Sequence, residues 1–314
     1  MDLATRTPFW GPQTSYLNTV SEFPGGFSPA NANLRCDWLF KDYVITRYVA
    51  EFINTLMRSK STGYAKNILP SNQLIHLAYL VVLGIHGLLR IIKNGQATVG
   101  RSIPFFGLMG VGVCSAGYHM TLKYHTQMSD ELSMHLLTTP LVHRLLTFQK
   151  SEQYTRLMGI ILFIEFTVVM VAHMVLDEFL LHAVTFGSGV LLIVICTMRV
   201  IPRQIPDAVI RKNVRNVTRF GVFCFLFGYM IWLVDEFTCR HLISIRHSIG
   251  LPLAFLFEFH GWWHVFTAIG GYIAVVVIDM LTAGEVHEDP TGQFAWPLPL
   301  VARTIGSSVS KKEN

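Results

Sequence analysis

The sequence predicts an all-α integral membrane protein with seven transmembrane helices and a metal site at the lumenal end of the helix bundle. Of its 314 residues, 51% are apolar and only 14% are charged, which is too hydrophobic for an ordinary soluble domain. Several apolar segments reach about 20 residues, the length that a helix needs to cross a bilayer. Two histidines four residues apart, His260 and His264, stand at the start of the last segment. Together these observations predict the fold class.

Charge and cysteine content exclude several other classes of protein. The formal net charge is +5, but no basic cluster is interleaved with aromatic residues, so no nucleic acid partner is expected. We interpret the positive charge as a determinant of membrane topology. The 5 cysteines lack CxxC spacing and are interpreted as membrane-core residues, not as a disulfide framework or a thiolate metal site.

Three parts of the chain are predicted from composition. Residues 1–72 form a polar N-terminal segment that lacks the apolar region of a signal peptide, so insertion is expected to begin with an internal helix. Residues 73–281 form the membrane domain, and residues 282–314 form a cytosolic tail.

Seven apolar segments are predicted to span the bilayer. The third is the weakest because it contains His135, His143 and Arg144. The boundary between the fourth and fifth depends only on Asp177 and Glu178. The segments are 73–92, 102–122, 131–149, 156–176, 179–201, 220–238 and 259–281.

The distribution of lysine and arginine predicts the orientation. Cytosolic loops carry an excess of these residues, and they are concentrated after the odd-numbered segments. The residues on that side are Arg90, Lys93, Arg101, Arg144, Lys150, Arg156, Arg199, Arg203, Arg211, Lys212, Arg215 and Arg219, followed by Arg303, Lys311 and Lys312 in the tail. Apart from the long N-terminal segment, the other side has only Lys123, Arg240 and Arg246. The C-terminus is therefore predicted to be cytosolic.

The tail supports this orientation. Its last residues, Lys311-Lys312-Glu313-Asn314, resemble the dilysine retrieval signal of endoplasmic reticulum membrane proteins, which works only in the cytosol. The alternative is a solvated basic tail without a targeting role.

Five polar residues are predicted to converge at the lumenal boundary. His260 and His264 lie on one helix face and can bind one metal ion. Ser115 and His119 end the second segment with the same spacing, and Asp130 begins the third. Three histidines and a water make a catalytic zinc site. Asp130 would take a proton from that water, and Ser115 would donate to the developing oxyanion.

Other polar and aromatic residues have simpler interpretations. Trp262 and Trp263 can be interfacial belt residues. Trp232 and Asp235 can form a packing contact or support a metal ligand. Isolated helical histidines are interpreted as polar residues satisfied by their neighbours, namely His76, His86, His173 and His182.

Several of these motifs resemble those of the alkaline ceramidases. The resemblance covers most of the chain and is carried by Ser115-(three residues)-His119-Met-Thr-Leu-Lys-Tyr, Asp130-Glu131-Leu132 and Phe259-His260-Gly-Trp-Trp-His264. It implies a seven-span hydrolase of the endoplasmic reticulum or Golgi that cleaves ceramide to a sphingoid base and a fatty acid. It also implies that His119, His260 and His264 hold zinc while Ser115 and Asp130 assist the chemistry.

The resemblance further implies a calcium site before the first span. The corresponding residues here are Asp37, the Trp38 carbonyl, Asp42 and Glu51. Phe40 stands where the family has a carboxylate, and calcium needs six to eight oxygens. A weakened calcium site is therefore expected.

Two polar segments depart from the family pattern, near residues 19–36 and 57–76. They are either true insertions or introns retained in the gene model. If the first insertion is placed after Leu17, Asn18 replaces Asp37 as the first calcium ligand.

The function predicted by these features is a zinc-dependent amidohydrolase acting on ceramide-type lipids in the bilayer. Ser115 and Asp130 favour an enzyme over a seven-span lipid-sensing receptor. An inactive scaffold of the same fold is a third hypothesis, supported by Phe40 and the insertions. A di-iron desaturase is disfavoured because it needs several histidine-rich boxes.

Overall fold

Regular structure in the described part of the chain is entirely helical. The computed structural model describes residues 71–121, 124–176, 179–249, 253–284, 286, 290–295 and 298–299. Seven long helices lie within these ranges: α1 Ser71–Lys93, α2 Val99–Thr121, α3 Tyr124–Thr147, α4 Glu152–Leu176, α5 Phe179–Gln204, α6 Ala208–Ile249 and α7 Phe259–Ala283. Two 3-10 helices, Leu253–Phe257 and Pro290–Gln293, follow α6 and α7. The predicted all-α class is confirmed.

Each predicted apolar segment coincides with one helix, but two helices are longer than expected. Helix α3 begins at Tyr124, seven residues before the predicted start of 131. Helix α6 has 42 residues and includes the basic segment before 220. Asp207 caps its first turn, because the backbone N–H groups of Val209 and Ile210 both donate to Asp207 Oδ1 at 2.8 Å.

Five helices in the described part are long and apolar enough to cross a membrane, so the chain is a multi-pass membrane protein. They correspond to Val99–Tyr118, Glu152–Val175, Leu181–Gln204, Ala208–Asp235 and Phe259–Ala283. In α4, only 11% of the most apolar segment is buried, as expected of a surface that faces lipid. In α7, 61% is buried, so this helix packs mainly against protein.

The described residues belong to two compact units. The first contains Gly112–Asp130 and Leu226–Ala268 together with the described residues before Leu80. The second contains Leu80–Val111, Glu131–Phe225 and the described residues from Ile269 onward. Helices α1, α2, α3, α6 and α7 contribute to both units.

Glycines bring α6 and α7 into close contact. A Cβ atom at Gly270 would lie 2.8 Å from the carbonyl oxygen of Gly221. A Cβ atom at Gly228 would lie 3.3 Å from the carbonyl oxygen of Trp263. Small residues allow such close backbone approach between membrane helices. Gly270 on α7 and Gly228 on α6 therefore allow the two helices to approach closely at two positions.

A buried ion cluster forms at Asp279 on α7. Asp279 Oδ2 lies 2.7 Å from Nη2 of both Arg90 and Arg101, and Oδ1 lies 3.0 Å from Arg144 Nη2. The aspartate side chain is only 1% exposed, and those of the arginines are 7%, 12% and 18% exposed. The three arginines come from α1, α2 and α3, so one carboxylate links three helices to α7.

Candidate metal centres

All described residues of the predicted zinc site lie in the first compact unit. Ser115 is buried on α2, and Asp130 is half-buried on α3. His260 is buried and His264 is half-buried on the first turns of α7. His119 follows Ser115 by one turn of α2, and its side chain is outside the described set.

The two α7 histidines are close neighbours. Their ring centroids are 4.9 Å apart with an interplanar angle of 70°. His260 Nδ1 lies 3.9 Å from Asp235 Oδ2, within ion-pair distance but beyond hydrogen-bond distance. Asp235 is 2% exposed, so a buried carboxylate on α6 faces a buried imidazole on α7.

Aromatic residues of α6 and α7 pack beside these histidines. The ring of Trp263 lies 6.3 Å from that of Trp232 and 6.2 Å from that of Tyr229. Trp262 contacts Phe266 at 6.3 Å. Trp232 and Trp263 therefore form a packing contact between the two helices, one of the two roles considered for Trp232.

Sequence reasoning missed Glu258, two residues before His260. Its side chain is 2% exposed, and its carbonyl oxygen accepts the backbone N–H of Trp262 at 3.3 Å. The sequence signal for Glu258 is its position directly before an apolar helix that carries two histidines four residues apart. Glu258 adds a second buried carboxylate at the start of α7.

A separate group of possible metal ligands lies in the second unit. One ligand atom from each of Glu131, His173 and His182 lies within 4.8 Å of the other two, and all three residues are buried. His173 Nε2 lies 2.5 Å from Glu131 Oε2. The side chains come from α3, α4 and α5.

Sequence reasoning treated His173 and His182 as isolated residues. The signal that could have paired them is their position: His173 is four residues before Asp177, and His182 is four residues after Glu178. Helices α4 and α5 contact each other. In a pair of antiparallel helices, residues equally distant in sequence from the junction lie at a similar level.

The predicted calcium residues Asp37, Trp38, Asp42 and Glu51 lie outside the described residues. So do Phe40, Asn18, the first proposed insertion and residues 57–70 of the second, as well as the dilysine tail. Residues 71–76 of the second insertion belong to α1. These predictions are left unchanged by the structure.

The fold and the sites define a multi-pass helical membrane protein with buried histidine and carboxylate groups suited to metal binding. The family model described as Ceramidase matches residues 70–304. The chain therefore belongs to the ceramidase family, which confirms the predicted family and with it the enzyme class.

Curated relatives match the chain over most of its length. It is 28% identical to alkaline ceramidase YPC1 of Saccharomyces cerevisiae over 290 residues, covering 88% of this chain and 84% of that protein. It is 25% identical to alkaline ceramidase 3 of Mus musculus over 272 residues, covering 86% and 85%.

Proposed function

We propose that this protein hydrolyses the amide bond of ceramide-type sphingolipids to a sphingoid base and a fatty acid. We further propose that His119, His260 and His264 hold a zinc ion for this reaction. The observation that carries the proposal is the His260–His264 pair, with Asp235 behind it, in the unit that also contains Ser115 and Asp130. Membership of the ceramidase family supplies the substrate class.

The geometry of the histidine pair fits a common ion. Zinc lies about 2.0–2.1 Å from imidazole nitrogens, so two imidazoles at tetrahedral angles have ring centroids about 5 Å apart. The observed separation is 4.9 Å. Asp235 faces Nδ1 of His260, so His260 would bind through Nε2. A carboxylate behind a histidine ligand fixes its tautomer and orientation.

The surrounding residues would carry the proton transfers. When bound, zinc supplies a Lewis acid that activates water and polarises the amide carbonyl. Asp130 would accept the proton of the attacking water and then donate it to the leaving amine. The Ser115 hydroxyl would donate a hydrogen bond to the carbonyl oxygen as negative charge develops there.

The test is product analysis on the purified full-length protein together with its zinc content. We expect equimolar sphingoid base and fatty acid from ceramide, and loss of both with a chelator. His264→Ala should carry about one zinc fewer and lose turnover, because it removes one of three ligands. His241→Ala is the matched control, since His241 is an exposed histidine of the same unit.

Two results would contradict the proposal. If His264→Ala keeps the wild-type zinc content and turnover, the site is wrong. If zinc binds but no product forms from ceramide, the protein acts as a lipid-sensing receptor or an inactive scaffold.

We also propose that all seven helices span the membrane of the endoplasmic reticulum, with the C-terminus cytosolic. Helices α1 and α3 have 23 and 24 residues. At 1.5 Å per residue each is about 35 Å long, enough to cross a hydrocarbon core of about 30 Å. The excess of Lys and Arg after the odd-numbered helices and the dilysine tail support the orientation.

An N-glycosylation acceptor inserted beside Lys123 is therefore expected to be modified in microsomes, whereas one inserted after Arg303 is not. Gel mobility before and after glycosidase treatment measures this. The reverse pattern would place the predicted catalytic end in the cytosol and exclude the dilysine interpretation.

Calcium is proposed to bind weakly through Asp37, Trp38, Asp42 and Glu51. Phe40→Glu restores the carboxylate of the family pattern, and it is expected to shift the response of activity to lower calcium. A calcium titration of both proteins measures the shift. Strong calcium dependence of the unmodified protein would instead show that the alignment through Phe40 is wrong.

A further inference from the structure

We propose that Glu131, His173 and His182 form a second site for a divalent transition-metal ion, independent of the α7 histidines. The three side chains come from three helices of the second unit. Metal sites in helix bundles are built in this way, from side chains of facing helices that project inward.

The positions of the ligand atoms fit one ion. In a tetrahedral zinc site with bonds of about 2.0–2.1 Å, ligand atoms lie about 3.3 Å apart. Here they lie within 4.8 Å of one another, and the His173–Glu131 pair is at 2.5 Å. The ring centroids of His173 and His182 are 5.4 Å apart, close to the separation of about 5 Å for two imidazoles on one ion. The His173–Glu131 distance is that of a hydrogen bond, so these two atoms would have to move apart for both to bind one ion.

His135 supports the site from one side. Its Nε2 lies 3.2 Å from His182 Nδ1. With Nδ1 held in this hydrogen bond, His182 would bind the ion through Nε2. Histidine ligands nearly always use their second nitrogen in such a contact, which fixes the tautomer and ring orientation. His135 lies one turn after Glu131 on α3. Helix α3 would therefore supply one ligand, Glu131, and the residue that orients another ligand, His182.

Aromatic rings pack against the histidines of the cluster. Phe186 stacks on His182 at 5.9 Å with an interplanar angle of 4°, and it also contacts the His135 ring. Phe225 in turn lies 6.1 Å from Phe186. These apolar neighbours lower the local dielectric and strengthen the electrostatic interactions inside the cluster.

The charge of Glu131 is the physical reason for a cation. Its residue exposure is 7%, and a bound cation stabilises the ionised form of a carboxylate in such a place. Two neutral imidazoles and one divalent ion provide that partner and use nitrogen and oxygen ligands suited to zinc and related metals. The competing arrangement is a protonated His173 paired with Glu131 and no metal.

Metal content separates the two arrangements. Purified full-length protein and its variants are loaded with Zn²⁺, dialysed and analysed for bound zinc. In the His264→Ala background, adding His182→Ala or Glu131→Gln is expected to remove about one further equivalent, since each removes one of three ligands. Adding His86→Ala is the control and should remove none. His86 belongs to the same unit, but it is not one of the three ligands, and its Nδ1 forms a hydrogen bond with the Tyr272 hydroxyl at 2.8 Å.

Cobalt and thermal unfolding provide readouts that do not depend on activity. Co²⁺ bound to His264→Ala should give visible d–d absorption that disappears when His182→Gln is added. Zn²⁺ should raise the unfolding temperature of His264→Ala more than that of the double variant, because an ion that binds the folded state stabilises it. His182→Gln keeps a hydrogen-bonding side chain, so it serves if the alanine variant does not fold.

The proposal is wrong if His182→Gln and Glu131→Gln retain as much zinc as their parent, the result expected for a histidine–glutamate ion pair. It is also wrong if His264→Ala binds no zinc at all. Neither outcome depends on ceramide hydrolysis. The second site can therefore be wrong while the proposed function is right, and the proposed function can be wrong while the second site is right.

Discussion

Replacing Asp279 with asparagine is expected to lower the free energy of unfolding by roughly 3–5 kcal/mol, the cost of breaking a buried ion pair on one side. The substitution keeps the side-chain shape but leaves one buried and two part-buried guanidinium groups without their shared carboxylate. Equilibrium unfolding of the purified protein in mixed detergent micelles measures the change.

Glu152→Gln is the matched control for Asp279. Glu152 pairs with Arg156 at 2.6 Å, but the two side chains are 77% and 75% exposed. An exposed pair of this kind on one helix contributes about 0.3–0.5 kcal/mol. Adding Arg101→Gln to Asp279→Asn should recover part of the loss, because it removes one of three neighbouring positive charges. A loss below about 1 kcal/mol in Asp279→Asn would show that the cluster contributes little.

The second large effect is expected at Asp130. Asp130→Asn keeps the size of the side chain but removes the proposed base, so turnover of ceramide should fall by roughly 100-fold or more. The zinc content should stay at the wild-type level, because Asp130 is not a proposed ligand. Steady-state product release and metal analysis on the same preparation measure both quantities.

Ser129→Ala is the control for Asp130, since Ser129 is an exposed neighbour on the same helix. It should change neither turnover nor zinc content. Unchanged turnover in Asp130→Asn would remove this residue from the mechanism, and loss of zinc would assign it to the metal site instead.

The helices could be predicted because each contains an apolar segment, and in five of the described helices that segment is long and apolar enough to cross a bilayer. Their ends could not, because polar turns continue the helix where local contacts stabilise them. Helix α6 begins at Ala208 since Asp207 caps its first turn, although the following residues are strongly basic. Helix α3 starts early, before the apolar segment that marks it.

The histidine pair of α7 could be predicted because both residues lie on one helix with a spacing of four. For its neighbour Asp235, the sequence left two interpretations open, a packing contact or support of a metal ligand. The structure places Asp235 Oδ2 3.9 Å from His260 Nδ1. The positions of His173 and His182 around Asp177 and Glu178 could have paired these two histidines, but no local pattern adds Glu131 to them or brings the arginines to Asp279. These groups meet only through the packing of three or four helices, which a single sequence does not encode in any short window.

The arginine cluster also has a consequence for biogenesis. Arg90 and Arg144 precede Asp279 by 189 and 135 residues, so a ribosome completes α1, α2 and α3 long before their shared counter-ion exists. At 5–20 residues per second, the delay is roughly 7–40 s. During that interval the three guanidinium groups lack the carboxylate that they share in the folded protein. The ion cluster can therefore form only after the last long helix has been synthesised.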